Sequence, residues 1–320
     1  MINFILNLIS KITKKINNHS KLKFVRLLNS IVIKLNVKKI LVNVILKLGG
    51  TPIVTAKMRD NTNIIIDLRS GTEFGAFFSG KYDYELIQTL TSLLNPDHYF
   101  LDIGANIGFY SISIGNKVKK LGKGKVIAFE PLNSNFNRLK DNLNLNNLND
   151  FCSAYEIGLS NKKNDSLITL REDFLSGSNT GNASITIDEK IDSKFNKVKI
   201  RLEKLDDFWE NNYKDSNRIG IIKMDIEGHE DLCLSGGQNV IRNHRPIILM
   251  EVNKPYYEAR GVKMDEVFFK LIPEKYSLYY FEKKAWKRIY TFEKCAKIDN
   301  VFIIPNEHTN FNKLIYAFET

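Results

Sequence analysis

The chain has 320 residues, 43% apolar and 26% charged, enough for one large domain or a domain with a small appendage, and this composition argues against a disordered chain. Of its 47 Lys/Arg, twelve fall in residues 1–59 beside no Asp or Glu, so the rest sets 35 bases against 36 acids and the net +11 belongs to one end. Cys152, Cys233 and Cys295 stand apart without a CxxC or Cys/His pattern, which excludes a disulfide framework or a cysteine zinc site and fits a reducing cytosol.

Residues 1–50 form a basic arm. Apolar residues recur at helical spacing, as at Ile5, Ile9, Ile12 and Ile16, with Lys11, Lys14 and Lys15 off that line. Its longest uncharged run is ten residues. That is half of the ~20 needed to cross a bilayer, and no charge precedes the apolar start as a secretory signal requires. Amphipathic helices are expected. They either pack on the following domain with lysines outward, or bring residues 1–48 to an anionic membrane surface. Nucleic acid is disfavoured, because only Phe4 and Phe24 interleave these lysines.

Gly49, Gly50 and Pro52 end the arm, and residues 51–320 read as the second unit. "IVTAKM" and "IIIDLR" predict a hairpin turning at Asn61. After a Gly-rich stretch, residues 83–94 predict a helix that Asn95-Pro96 stops. Strands and helices then alternate: "YFLDI", a helix over 107–120, "KVIAFE", a helix over 132–146 and "AYEIGL". A long loop follows, with a mobile Ser/Asn/Gly insertion at 176–184, then "KIRLEKL", a helix over 206–212, "IGIIKMDI", a helix over 229–243 and "PIILMEV". Short β-branched runs between helices predict an α/β fold, a mostly parallel sheet with helices on both faces. "YSLYYFE", "WKRIYTF" and "NVFIIP" add an antiparallel C-terminal edge pair.

The loop in "FLDIGANIGFYS" reads DxGxNxG, whereas the dinucleotide fingerprint is GxGxxG and needs no carboxylate. Asp102 would repel a pyrophosphate and attract a cation. S-adenosylmethionine, with its ammonium and sulfonium, fits that sign, and Gly104 and Gly108 permit close backbone approach. Glu130, ending "VIAFE", stands where an acid accepts both ribose hydroxyls. A nicotinamide oxidoreductase and a non-catalytic membrane-associated binding module of the same fold are the alternatives.

"FLDIGANIGFYS", "VIAFEP", "EKLDDF" and "IIKMDIEGHE" resemble the successive motifs of the FkbM-type methyltransferases, over roughly residues 51–305. The family is also similar in a Tyr-Glu pair upstream of the loop, here Tyr84-Glu85. The resemblance implies a Rossmann-like class I methyltransferase that uses S-adenosylmethionine and mostly methylates sugar or polyketide hydroxyls. It places Glu85, Asp102, Gly104, Asn106, Gly108 and Glu130 at the donor.

Asp225 ends "IIKMD" at the carboxyl edge of the sheet, where ligands of open α/β folds gather. The Asn/Asp-Pro-Pro-aromatic turn common to amine methylation of nucleobases is missing there, so a hydroxyl acceptor is expected. Asp225 serves either as general base or, with Glu251, as a ligand of Mg2+. His229, four residues on, has an ordinary pKa suited to a base. Glu227 is assigned to the N-terminus of the following helix, and Asp206 to the cap of its own. The expected activity is O-methylation of a sugar in a surface glycan or its lipid-linked precursor, by a cytoplasmic enzyme peripheral at the inner face of the membrane.

Overall fold

A computed structural model describes residues 37–175, 177–178, 183–185, 195–282 and 285–308. Most of the expected arm, and most of the expected insertion at 176–184, lie outside the described residues. Helix α1 (Val37–Lys47) buries Val42 and Ile45 in the core, and its Lys38 Nζ donates to Arg69 O at 2.9 Å. No helix among the described residues is long and apolar enough to cross a membrane.

Strands β1 (Ile53–Lys57) and β2 (Asn63–Asp67) form the expected hairpin, with Asn61 left-handed at φ 69°. The Gly-rich stretch after it holds helix α2 (Gly71–Ser79), which its composition masks. Ser70 caps the start by accepting from Glu73 N, Gly80 ends it left-handed, and Phe74, Ala76 and Phe77 are buried.

The alternating elements follow as α3 (Tyr84–Leu93), β3 (Tyr99–Ile103), α4 (Phe109–Leu121), β4 (Lys125–Phe129), α5 (Asn133–Leu145) and β5 (Cys152–Tyr155). Where a long loop is expected, β7 (Asn164–Leu170) and β8 (Ala183–Ile185) form; with β6 (Gly158–Leu159), the end of "AYEIGL", and β9 (Lys197–Glu203), the expected strand at "KIRLEKL", they build a separate four-stranded sheet in the order β6-β9-β7-β8. Strand β7 hides in sequence because polar residues, Asn164, Asp165 and Ser166, fill its first half.

Helix α6 (Leu205–Tyr213) leads to β10 (Ile219–Met224), and the single helix expected over 229–243 is two, α7 (Glu230–Gly236) and α8 (Gln238–His244). The break lies at the Gly236-Gly237 pair, where a Cβ on Gly236 would stand 2.0 Å from Ser160 O. The chain ends with β11 (Ile247–Asn253), α9 (Lys254–Ala259), α10 (Met264–Leu271), β12 (Tyr276–Glu282), β13 (Ala285–Ile289) and β14 (Ile298–Pro305).

The central sheet has the order β13-β12-β14-β11-β10-β3-β4-β5. Strands β5, β4, β3, β10 and β11 are parallel, as expected. The antiparallel edge is also present: β14 inserts between β11 and β12, antiparallel to both, and the β12–β13 hairpin closes the sheet. Apolar residues alternate between two cores. Phe100, Val126 and Ile221 face α3, α4 and α5, whereas Leu101, Ile127 and Ile222 face α6, α7 and α8.

The hairpin is tied to this framework by polar contacts. Asn142, itself fully buried on α5, accepts from Ile65 N through Oδ1 at 2.7 Å and donates from Nδ2 to the buried Ile107 O at 2.9 Å. Asn142→Ala leaves the buried Ile107 O and the half-buried Ile65 N unpaired and should lower unfolding stability by about 2–4 kcal/mol in urea titrations. Asn146→Ala, at the less buried end of the same helix, should cost less.

Candidate active site

A cavity of about 330 Å³ opens at the carboxyl ends of the parallel strands, with Gly104, Asn106, Glu130, Asp225 and Glu251 in its wall. The sharp turn after β3 makes this possible. Gly104 has φ +78°, and a Cβ there would lie 2.0 Å from Asp225 O, so the donor loop passes directly over the end of β10. Asn106 N and Leu132 N donate to the two oxygens of Glu130 at 2.8 and 3.1 Å. Burial pushes Glu130 up to about 7, with these two amides pulling the other way.

The structure moves Asp102 from the cavity wall to a support beneath it. Its carboxylate is fully buried, accepts from Ser111 Oγ at 2.6 Å, and stands 3.4 Å from Lys223 Nζ. Lys223 lies opposite Asp102 in the β3–β10 register. Its ammonium donates to Gly104 O at 2.9 Å, lies 3.6 Å from Asp225 Oδ2, and sits 5.1 Å from the centre of the Tyr110 ring. Burial opposes that charge, but Asp102 and Asp225 together hold the lysine above its ordinary pKa. The anion expected to face the donor is thus already paired with a lysine. A lysine within the apolar strand "IGIIKM" was the available signal.

Two other expected donor residues also lie off the wall. Gly108 starts α4 at φ 98°, and a Cβ there would meet Leu139 Cδ1 at 2.6 Å, so this glycine serves helix packing. Glu85 is exposed on the first turn of α3. The left-handed turn at Asp83, φ 38°, instead brings Tyr82 and Asp83 into the wall. Tyr82 stacks on Phe109 with ring centroids 4.1 Å apart, and Asp83 Oδ2 accepts from Tyr110 OH at 3.1 Å.

At the other end, Asp225, Glu227 and Glu251 each offer a carboxylate oxygen, all within 4.8 Å of one another. Asp225 and Glu251 meet as the sequence predicts. Glu227 joins them because its left-handed backbone, φ 55°, turns it into the cavity, where it accepts from Asn253 Nδ2 at 3.3 Å. Its spacing of two from Asp225 was the missed signal. Burial, then the charge of Asp225, raises Glu227 to about 7 and Glu251 to about 10. Helix α7 starts at Glu230, whose Oε1 accepts from Ile226 N and Gly228 N of the preceding turn at 3.0 and 3.3 Å. Asp206 caps α8, not its own helix, accepting from Asn239 N and Val240 N at 3.0 and 2.9 Å.

His229 lines the cavity, but its Nε2 lies 2.9 Å from Ser160 Oγ, and burial with nearby Arg260 lowers its pKa to about 4. The ordinary imidazole value expected from sequence is therefore corrected, and at neutral pH this ring is uncharged. The remaining wall is apolar. Ile168, Ile185, Ile200 and Leu202 reach it from the separate small sheet, and the first two come from the segment expected to be loop.

This sheet order, with a glycine loop and an acid at successive strand ends, defines a class I methyltransferase fold. The model of the FkbM methyltransferase domain matches residues 102–292, more than half of the chain, and the chain belongs to that family. Methyltransferase sdnD of Sordaria araneosa is 28% identical over 166 residues, 44% of this chain and 60% of that protein. Methyltransferase FkbM from Methylobacillus flagellatus KT shares 17% identity at a TM-score of 0.40, over 72% of this chain and 52% of that one. An O-methyltransferase from Bacillus cereus in complex with SAH shares 12% at a TM-score of 0.38, over 69% of this chain and 79% of that one. The chain spans just over half the length of the first two relatives.

Two measurements probe the buried charges. Lys223→Met strands Asp102 and should cost about 3–5 kcal/mol in urea unfolding, whereas Asp102→Asn/Lys223→Met removes both charges and should recover most of that loss. The second concerns pH. Glu130, Glu227 and Glu251 hold protons in the folded chain well above the 4.5 at which the unfolded chain loses them, so they withdraw stability as pH rises. His229, lowered from 6.5, opposes this only below that value. The Tm of unliganded protein should therefore fall from pH 6.5 to about pH 8.5, and Glu251→Gln should flatten the fall.

Proposed function

We propose that this methyltransferase uses S-adenosylmethionine to methylate a hydroxyl of a sugar, in a surface glycan or its lipid-linked precursor. One observation carries the reading: a single cavity joins Glu130 and the Gly104 loop to the carboxylates of Asp225, Glu227 and Glu251. When bound, the donor supplies a methyl group already activated by its sulfonium. The tight turn at Gly104 carries the loop backbone against the end of β10 and into the cavity wall. Glu130 is oriented by two amides to accept from ribose hydroxyls, and Asp83, Asp225 and their neighbours favour a cation.

At the acceptor, Asp225 orients the attacking hydroxyl. The methyl–sulfur bond breaks as the carbon–oxygen bond forms, and the acceptor proton passes to a Glu227 oxygen. Glu227, at about 7, is matched to that proton at neutral pH, whereas His229, at about 4, is not. Carboxylates with no Pro-Pro turn beside them support a hydroxyl over a nucleobase amine. The clustering of the three acids also favours a second reading, in which they hold Mg2+, whose chemistry would lower the acceptor pKa. The oxidoreductase alternative is not favoured.

Calorimetry with S-adenosylmethionine should show Glu130→Ala weakening the donor at least tenfold. Mass spectrometry of surface glycans should show one methyl group missing when the protein is absent; unchanged glycans contradict the acceptor assignment. In a methyl-transfer assay, Glu227→Gln should lower kcat by roughly 10²–10⁴ with donor affinity kept, and His229→Ala should stay within about tenfold of the parent. Loss of activity in chelator, restored by magnesium, selects the metal reading.

A further inference from the structure

The first helix carries a feature that methyl transfer does not use. Its inner face holds Val42 and Ile45, at 8% and 1% exposure. Around the outside, Val44 and Leu46 on the helix and Leu48 just beyond it are 46%, 50% and 66% exposed, with the exposed Lys47 among them. The helix contains no acid, and the first in the chain is Asp60, after twelve Lys/Arg. The sequence beyond Asp60 is nearly balanced in charge, so this excess is not a general device for solubility.

We propose that the outer face of α1 docks on an anionic lipid bilayer. Apolar side chains interleaved with lysine suit the headgroup boundary: the apolar groups enter the acyl margin, and the lysine stem follows them while its ammonium stays with lipid phosphate. Basic residues near such a surface gain from its negative potential, and the exposed Lys47 belongs to a stretch, residues 1–59, that holds twelve bases and no acid. Two other occupants fit less well. A second copy related by a twofold axis would bring two basic faces together with no acid of the helix between them. A nucleic acid would want stacking aromatics, and residues 37–48 contain no Phe, Tyr or Trp.

Flotation of the full-length protein with vesicles tests this. The protein should rise with phosphatidylcholine vesicles containing about 30% phosphatidylglycerol, not with phosphatidylcholine alone, and be released as salt approaches ~0.5 M. Val44→Ser/Leu46→Ser/Leu48→Ser should lower the vesicle-bound ratio at least tenfold, with unchanged Tm and S-adenosylhomocysteine affinity, because those side chains point to solvent. Failure to float, equal binding to neutral vesicles, or a triple variant that floats like the parent would each overturn the proposal. So would sedimentation showing a dimer that the triple variant dissolves, which would assign the face to a second copy. Since the readout is vesicle binding, its failure leaves the methyl-transfer reading untouched.

Discussion

A buried ammonium organises this site. Lys223 Nζ stands between Asp102 on one strand and Asp225 at the end of the next, and it holds the Gly104 carbonyl at 2.9 Å. An isolated charge at that depth would be strongly unfavourable; two carboxylates and a carbonyl make it tenable. The cost of breaking the arrangement is what fixes the geometry. The donor loop cannot shift without releasing Lys223, and Lys223 cannot leave without stranding Asp102.

That tie explains how one cavity acquires two chemically different halves. On one side, the tight turn at Gly104 and the amides on Glu130 form a rigid cradle beside an apolar wall. On the other, three acids crowd until Glu227 and Glu251 hold their protons more tightly. A cationic ligand between the two halves would relieve that crowding. Asp102 therefore shapes the site through Lys223, although its sequence position suggested direct contact with the donor.

The sheet was legible because buried parallel strands leave apolar runs that helices interrupt, and "YFLDI", "KVIAF" and "IIKM" are such runs. Glu130, Asp225 and Glu251 were legible for a related reason: an acid closing an apolar strand sits at the edge where ligands gather. What escaped depends on long-range partners or on local backbone. Strand β7 gains its apolar residues only in its second half, so alternation alone could not find it. Glu227 and Asp83 enter the cavity through left-handed backbone at non-glycine residues, which composition does not announce. The low pKa of His229 comes from burial and Arg260, thirty-one residues later in the chain.

A crystal structure with S-adenosylhomocysteine tests the central claim most directly. The account predicts the ribose hydroxyls on Glu130, the sulfur facing Asp225, and Lys223 still bound to the Gly104 carbonyl and Asp102. A ligand whose carboxylate draws Lys223 into the cavity and away from Asp102 would contradict it.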